Sequence, residues 1–215
     1  MCIPTTFTSS KLDGFKLSSD TLVKLHKTYK GSRGKVFCPV DGGRFVRVDD
    51  PRAVDSDDMR TLTADQAAMD LTQLPWLPRI HQDGTKTFGG KGAWIECQDV
   101  EIPKDKRLWF RYAFLRFDAF PTNAFAALVA YPKNNIHEPL PAYWISDVKD
   151  LEETHNGANQ TQWTECFVEI DPNTDFVGTL RWVVGTGHNV EEDGIPNNTR
   201  FASPGCLLID AIDVR

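Results

Sequence analysis

Residues 108–117 read LWFRYAFLRF, and their alternation decides the fold. Leu108, Phe110, Tyr112 and Phe114 recur at every second position, the period that carries side chains to one face of a β-strand. Arg111 and Arg116 interrupt this otherwise aromatic run. On an open outer face they form a polar floor for a ligand; on a covered one their stems shield apolar surface. Just before lies AWIECQDVEI (93–102), which places Trp94, Glu96, Gln98 and Val100 on one face and Ala93, Ile95, Cys97 and Asp99 on the other. The segment GTKTFGGKG (84–92) in front of it reads as a loop. Further strands are AFAALVAY (124–131), YWISDV (143–148), WTECFVEI (163–170), TLRWVVGTG (179–187) and CLLIDAIDV (206–214). Short strands spaced by turns predict a mainly β chain with an antiparallel jelly-roll-like sandwich, not βαβ units.

The first 78 residues follow a different pattern, so the chain divides at 1–78 and 79–215. Leu22, Leu25, His26 and Tyr29 share a helical face, which predicts a short helix from Ser18 or Ser19 to Tyr29, ended by Gly31. A β-hairpin follows: KVFCPV (35–40), a turn at Asp41-Gly42-Gly43, then RFVRVDD (44–50). Thr63-Ala64-Asp65-Gln66 has the form of a capping box, predicting a second short helix from Ala64 to Leu74. The stiff LPWLP connector (74–78) predicts an N-terminal extension packed on the sandwich rather than swinging free.

Twenty-four Lys and Arg against 30 Asp and Glu give a formal net charge of −6, which disfavours a nucleic-acid partner. The basic run from Lys24 to Lys35 reads as a solvated face. No apolar run is long enough for a membrane span. The N-terminus shows no basic segment leading into an apolar one, so no conventional signal peptide is visible. The cytoplasm, a particle, or export by a signal-less route all remain compatible with that. Cys97, Cys166 and Cys206 lie in apolar strands and read as reduced core thiols, with a disulfide pair as the alternative. There is no GxSxG, no HExxH and no phosphate-cradling glycine loop, and the five His are scattered.

Two segments, KGAWIECQDVEIPKDKRLWFRYAFLRFDAFPTNAFAALVAY (91–131) and TLRWVVGTG with SPGCLLIDAIDV (203–214), carry a family resemblance. They resemble the core strands and closing hairpin of jelly-roll sandwiches of the galactose-binding-like kind, which include carbohydrate-binding modules and adhesin domains. The resemblance implies a lectin-like binding protein. It also implies a structural Ca²⁺ at Asp210, which matches a terminal-strand aspartate of those modules; the alternative is a plain strand-end polar residue. Asp118 and Asn123 flank the loop where adhesin relatives carry an Asn-Asp pair, but Ala124 follows Asn123 and breaks it.

Sugar binding requires aromatic faces for stacking and polar groups to fix hydroxyls. Trp144 and Trp163 border polar loops and are the candidates, ahead of mid-strand Trp94 and Trp182; packing is the competing role for any of them. Asn156 and its neighbours in residues 155–160, together with His188 and Asp193, supply hydrogen-bonding side chains. The leading expectation is a non-catalytic protein binding carbohydrate or another cell-surface ligand. A structural or assembly subunit (virion, tail or adhesion component), for which a homo-oligomer is expected, is the alternative. A glycan-cleaving enzyme using Glu165 with Glu169, or Glu96 with Asp99, is the third.

Overall fold

The computed structural model describes residues 7–9, 11–18, 20, 22–31, 34–49, 79–80, 86–116, 124–135, 137–147, 151, 160–188 and 205–215; for 79–80, 86–91 and 186–188 only the backbone is described. Two antiparallel sheets stack face to face. The first contains β1 (Phe15–Leu17), β7 (Lys86–Ile102), β12 (Phe176–His188), β9 (Phe125–Pro132) and β10 (Tyr143–Asp147) in that order, with β6 (Arg79–Ile80) also paired to β7. The second runs β11 (Thr164–Val168), β8 (Leu108–Arg116), β13 (Gly205–Val214), β5 (Phe45–Asp49) and β2 (Val23–His26). A two-stranded flap, β3 (Tyr29–Lys30) with β4 (Val36–Phe37), completes the described elements.

Period-two patterning fills the space between the sheets. Ile95, Cys97, Leu128, Leu180, Trp182 and Val184 point inward from the first sheet, and Leu108, Phe110, Phe114, Leu207 and Ile209 meet them from the second. Trp182 is fully buried and meets Phe110 edge-on, with ring centroids 5.9 Å apart. Its indole N–H has no hydrogen-bond partner among the described residues. Burial of each Leu, Ile, Val or Phe side chain here contributes about 1.5–3 kcal/mol.

Several sequence expectations are corrected. The helix expected to end at Tyr29 is absent: Val23–His26 is a strand paired to β5, with Val23 buried in the core and Leu25 packed against it. Over so short a window the same residues satisfy both periods, and pairing with β5 decides. Gly31 is accordingly not a helix terminus. It is the point where the flap presses on the second sheet, and a Cβ there would collide with the Gln160 side chain and crowd Leu115 and Phe37. The expected hairpin also divides, since Val36–Phe37 pairs with β3 whereas Phe45–Asp49 lies between β13 and β2. The expected loop at 84–92 is strand from Lys86, where Gly89 and Gly92 oppose Gly187 and Gly185 of β12. Val100 faces the core rather than sharing a face with Trp94. Gln98 and Asp99 together oppose the single residue Thr179 in a bulge, with Asp99 at φ 51°, and this reverses the alternation. The second helix, 64–74, and Asp118 and Asn123 lie outside the described residues. The N-terminal region does not merely rest on the sandwich: β1, β2 and β5 are strands within its sheets.

Cys38 is exposed, whereas Cys97, Cys166 and Cys206 are buried, and all four are free thiols. Burial raises the three core thiols above their usual range, which suppresses the reactive thiolate. Maleimide labelling mapped by peptide mass spectrometry is expected to modify Cys38 before Cys97, Cys166 and Cys206, which react only in denaturant. Equal labelling rates would contradict the packing.

Candidate functional site

Each sheet turns an aromatic and charged face outward. On the first sheet the strand register builds a row across four strands: Trp94 opposite Val183, Val183 opposite Ala127, and Ala127 opposite Trp144. The backbone positions of the two tryptophans stand three strand spacings apart, about 14 Å. Between them Val183 and Ala127 are buried, with Trp94, Tyr131, Ala142 and Trp144 packed against the cluster to which they belong. Trp144 stacks on Phe125 (centroids 4.6 Å, 16°), and its Nε1 donates to Asp147 Oδ2 at 3.1 Å.

The next row pairs Glu96 with Arg181 and Arg181 with Val129. Arg181 donates from Nε (2.9 Å) and Nη2 (2.6 Å) to Glu96 Oε2, while Gln98 Nε2 donates to Oε1 at 2.8 Å. Glu96 is only 3% exposed, so these donors stand in for the water its carboxylate oxygens have lost. The same guanidinium lies 4.4 Å from the Trp94 ring centroid and 4.9 Å from that of Tyr131. Burial pushes the Tyr131 hydroxyl above its usual range, against the opposing pull of Arg181.

The second sheet's outer face has two halves. One lies under the flap, where Phe37, Phe45, Leu115, Cys206 and Leu208 form a small core with Tyr29 and Trp163 packed against it. Trp163 meets Phe45 and Phe37 edge-on and donates from Nε1 to the Cys38 carbonyl at 2.9 Å. Here Arg47 pairs with Asp49 at 2.6 Å and lies 4.3 Å from the centre of the Tyr29 ring. The other half carries Trp109, Arg111, Glu165 and Phe167. Glu165 Oε1 accepts Arg215 Nη2 at 2.9 Å and pairs with Arg111 Nη2 at 3.3 Å.

The sequence candidates therefore separate. Trp144 lies on the first sheet's outer face, Trp163 beneath the flap, and Arg111 on the second sheet's uncovered half. His188 ends β12 opposite Phe88, and Asn156 and Asp193 lie outside the described residues. Asp210 is fully buried, and both carboxylate oxygens accept backbone N–H groups: Val40 (2.6 Å) and Asp41 (3.2 Å) at Oδ2, Ala211 (2.9 Å) at Oδ1. Burial raises its carboxyl above the ordinary range, with these three donors pulling the other way. Among the described residues no group of three or more His, Cys, Asp or Glu is arranged to hold a metal. Glu96 and Asp99 do not form a carboxylate pair: the bulge parts them, Glu96 binding Arg181 and Asp99 binding Lys133 at 3.1 Å. Glu165 and Glu169 are held by different arginines, with Glu169 3.7 Å from Arg107.

Trp94, Arg181, Tyr131 and Trp109 also lie on these outer faces, and the sequence reading did not select them as candidates. The signal was available in Trp94, Glu96 and Gln98 sharing a face opposite the apolar set Ala93, Ile95 and Cys97. A tryptophan on the polar side of a strand is an outward tryptophan, wherever along the strand it falls.

The molecule is thus a mainly β, antiparallel sandwich with aromatic and arginine side chains on both outer faces. The sequence matches no protein-family model and no curated protein. Among solved structures it is similar to a carbohydrate-binding module specific for non-crystalline cellulose, CBM28, at 12% identity over 100% of this chain and 95% of that one (TM-score 0.44). It is also similar to a structure described for promiscuous carbohydrate-binding modules of the β-sandwich superfamily, at 11% identity over 99% of this chain (TM-score 0.41). A third is the enzymatically active domain of tailspike protein 4 of bacteriophage CBA120, at 10% identity over 98% of this chain (TM-score 0.40). The chain spans 61% of the second and 20% of the third. Likenesses this remote assign no role to any residue. No helix among the described residues is long and apolar enough to cross a membrane.

Proposed function

We propose that this chain is a glycan-binding sandwich that holds an oligosaccharide across the outer face of its first sheet and does not cleave it. The observation that carries the reading is the four-strand row with Trp94 and Trp144 at its ends and the small residues Val183 and Ala127 between. Two tryptophans on strand positions about 14 Å apart lie farther apart than one sugar ring reaches, so the ligand is a chain rather than a monosaccharide. Arg181, which Glu96 holds in place from beneath, and Tyr131 alongside provide polar groups for hydroxyls. Binding without cleavage is supported, among the described residues, by the candidate carboxylates Glu96, Glu165 and Glu169, each held by an arginine rather than facing one another across a gap.

A glycan array followed by affinity electrophoresis on the polysaccharides it selects tests this. Trp94→Ala and Trp144→Ala are each expected to weaken retention at least about tenfold, a loss of about 1.4 kcal/mol. Trp163→Ala, altered on the other sheet, is expected to bind as the parent does. No retention on any glycan, or no loss in either first-sheet variant, overturns the proposal.

A further inference from the structure

The uncovered half of the second sheet holds a cavity of about 410 Å³, within the roughly 300–1,000 Å³ range of small-ligand sites. Its position follows from register. Arg111 on β8 stands opposite Glu165 on β11 and Asp210 on β13, and in the next row Trp109 stands opposite Phe167 and Asp213. A register shift between Asp210 and Asp213, with Ala211 at φ 49°, lifts β13 out of regular pairing. Asp210 fastens the backbone of Val40 and Asp41, which line the cavity. Trp109, Arg111, Glu165, Asp213 and Arg215 line it as well.

The chemistry of the lining discriminates between ligands. An anion would have to displace Glu165 from Arg111 and Arg215, the two guanidiniums that would otherwise receive it. A cation seeking the Trp109 face meets an incumbent too, because the Arg215 guanidinium lies 4.3 Å from that ring's centroid. A polyhydroxy ligand displaces neither, since each hydroxyl can donate to a carboxylate and accept from a guanidinium in the same contact. Trp109 supplies apolar surface to the lining, and Phe167, 48% exposed, packs against the Trp109 ring with centroids 5.1 Å apart.

We infer that this cavity is a second saccharide site, on the sheet opposite the proposed oligosaccharide face, and that it takes a single neutral sugar residue or chain end. The inference rests on the residues of the second sheet and stands or falls separately from the first face.

The test is a titration of the full chain carrying ¹⁵N-labelled tryptophan, with the Trp109 indole resonance assigned through Trp109→Phe. The probes are the methyl glycosides of glucose, galactose, mannose and xylose, with glucuronate and glucosamine as charged counterparts. At least one neutral glycoside is expected to shift the Trp109 signal saturably, and Glu165→Gln is expected to weaken that binding at least tenfold. A Trp109 signal unmoved by every neutral glycoside, or moved only by glucuronate or glucosamine, overturns the inference. Shifts confined to the Trp94 and Trp144 indoles remove this site and leave the first face standing; shifts confined to Trp109 support this site and leave the oligosaccharide face to its own test.

Discussion

Replacing Arg181 by methionine is expected to lower the unfolding free energy by about 3–5 kcal/mol, the loss typical of breaking a buried ion pair. Methionine preserves much of the stem's packing but leaves Glu96, with 4% side-chain exposure, without either guanidinium hydrogen bond. Gln98 still donates to Oε1, and one amide cannot replace two charged donors on the other oxygen. Urea denaturation measures the effect. A loss of less than about 1 kcal/mol, the scale of an exposed ion pair, would show that solvent reaches Glu96 freely. The double variant Glu96→Gln/Arg181→Met is expected to be more stable than Arg181→Met alone, because the stranded charge is gone. Arg181→Lys retains a charge but not the planar fork that spans Glu96 while lying over Trp94 and Tyr131, so it is expected to restore stability more fully than glycan binding.

The fold was legible wherever burial imposes alternation over a long strand. Leu108, Phe110 and Phe114 face the core as their spacing dictates, and Trp182 is buried between Leu180 and Val184. It was illegible where two periods coincide. Residues 22–29 fit a helix in isolation, and only pairing of Val23–His26 with the distant β5 decides against it. The reversal at Asp41–Gly43 was read correctly as a turn, but a turn does not determine which strands its arms join. Phe45–Asp49 pairs with β13, which begins more than 150 residues later. The site was harder still. Trp144 was selected because it borders a polar loop, whereas its place in a row with Trp94 depends on register across four strands. No local pattern contains that register.

Asp210→Ala is expected to cost about 2–3 kcal/mol and to disable the second-sheet cavity in the same step. The carboxylate accepts three backbone N–H groups, two of them from Val40 and Asp41 in a loop 169 or more residues earlier in the chain. Truncation leaves these donors without an acceptor, and a stranded buried donor costs about 1–3 kcal/mol. The sum is less than threefold that figure because Val40 and Asp41 lie in an exposed loop, where water satisfies them once the loop lifts. That lifting is what removes the cavity's rim. Asp210→Asn retains one acceptor oxygen and is expected to fall between the two. Thermal melts with and without a chelator separate this role from calcium binding. A backbone clamp predicts that chelation leaves the parent's melting temperature unchanged while Asp210→Ala lowers it. A parent that melts as early as Asp210→Ala once chelated would instead show that the carboxylate works through an ion. The clamp is the stronger expectation, because both oxygens of Asp210 already face N–H donors, whose positive ends disfavour a cation in the same place.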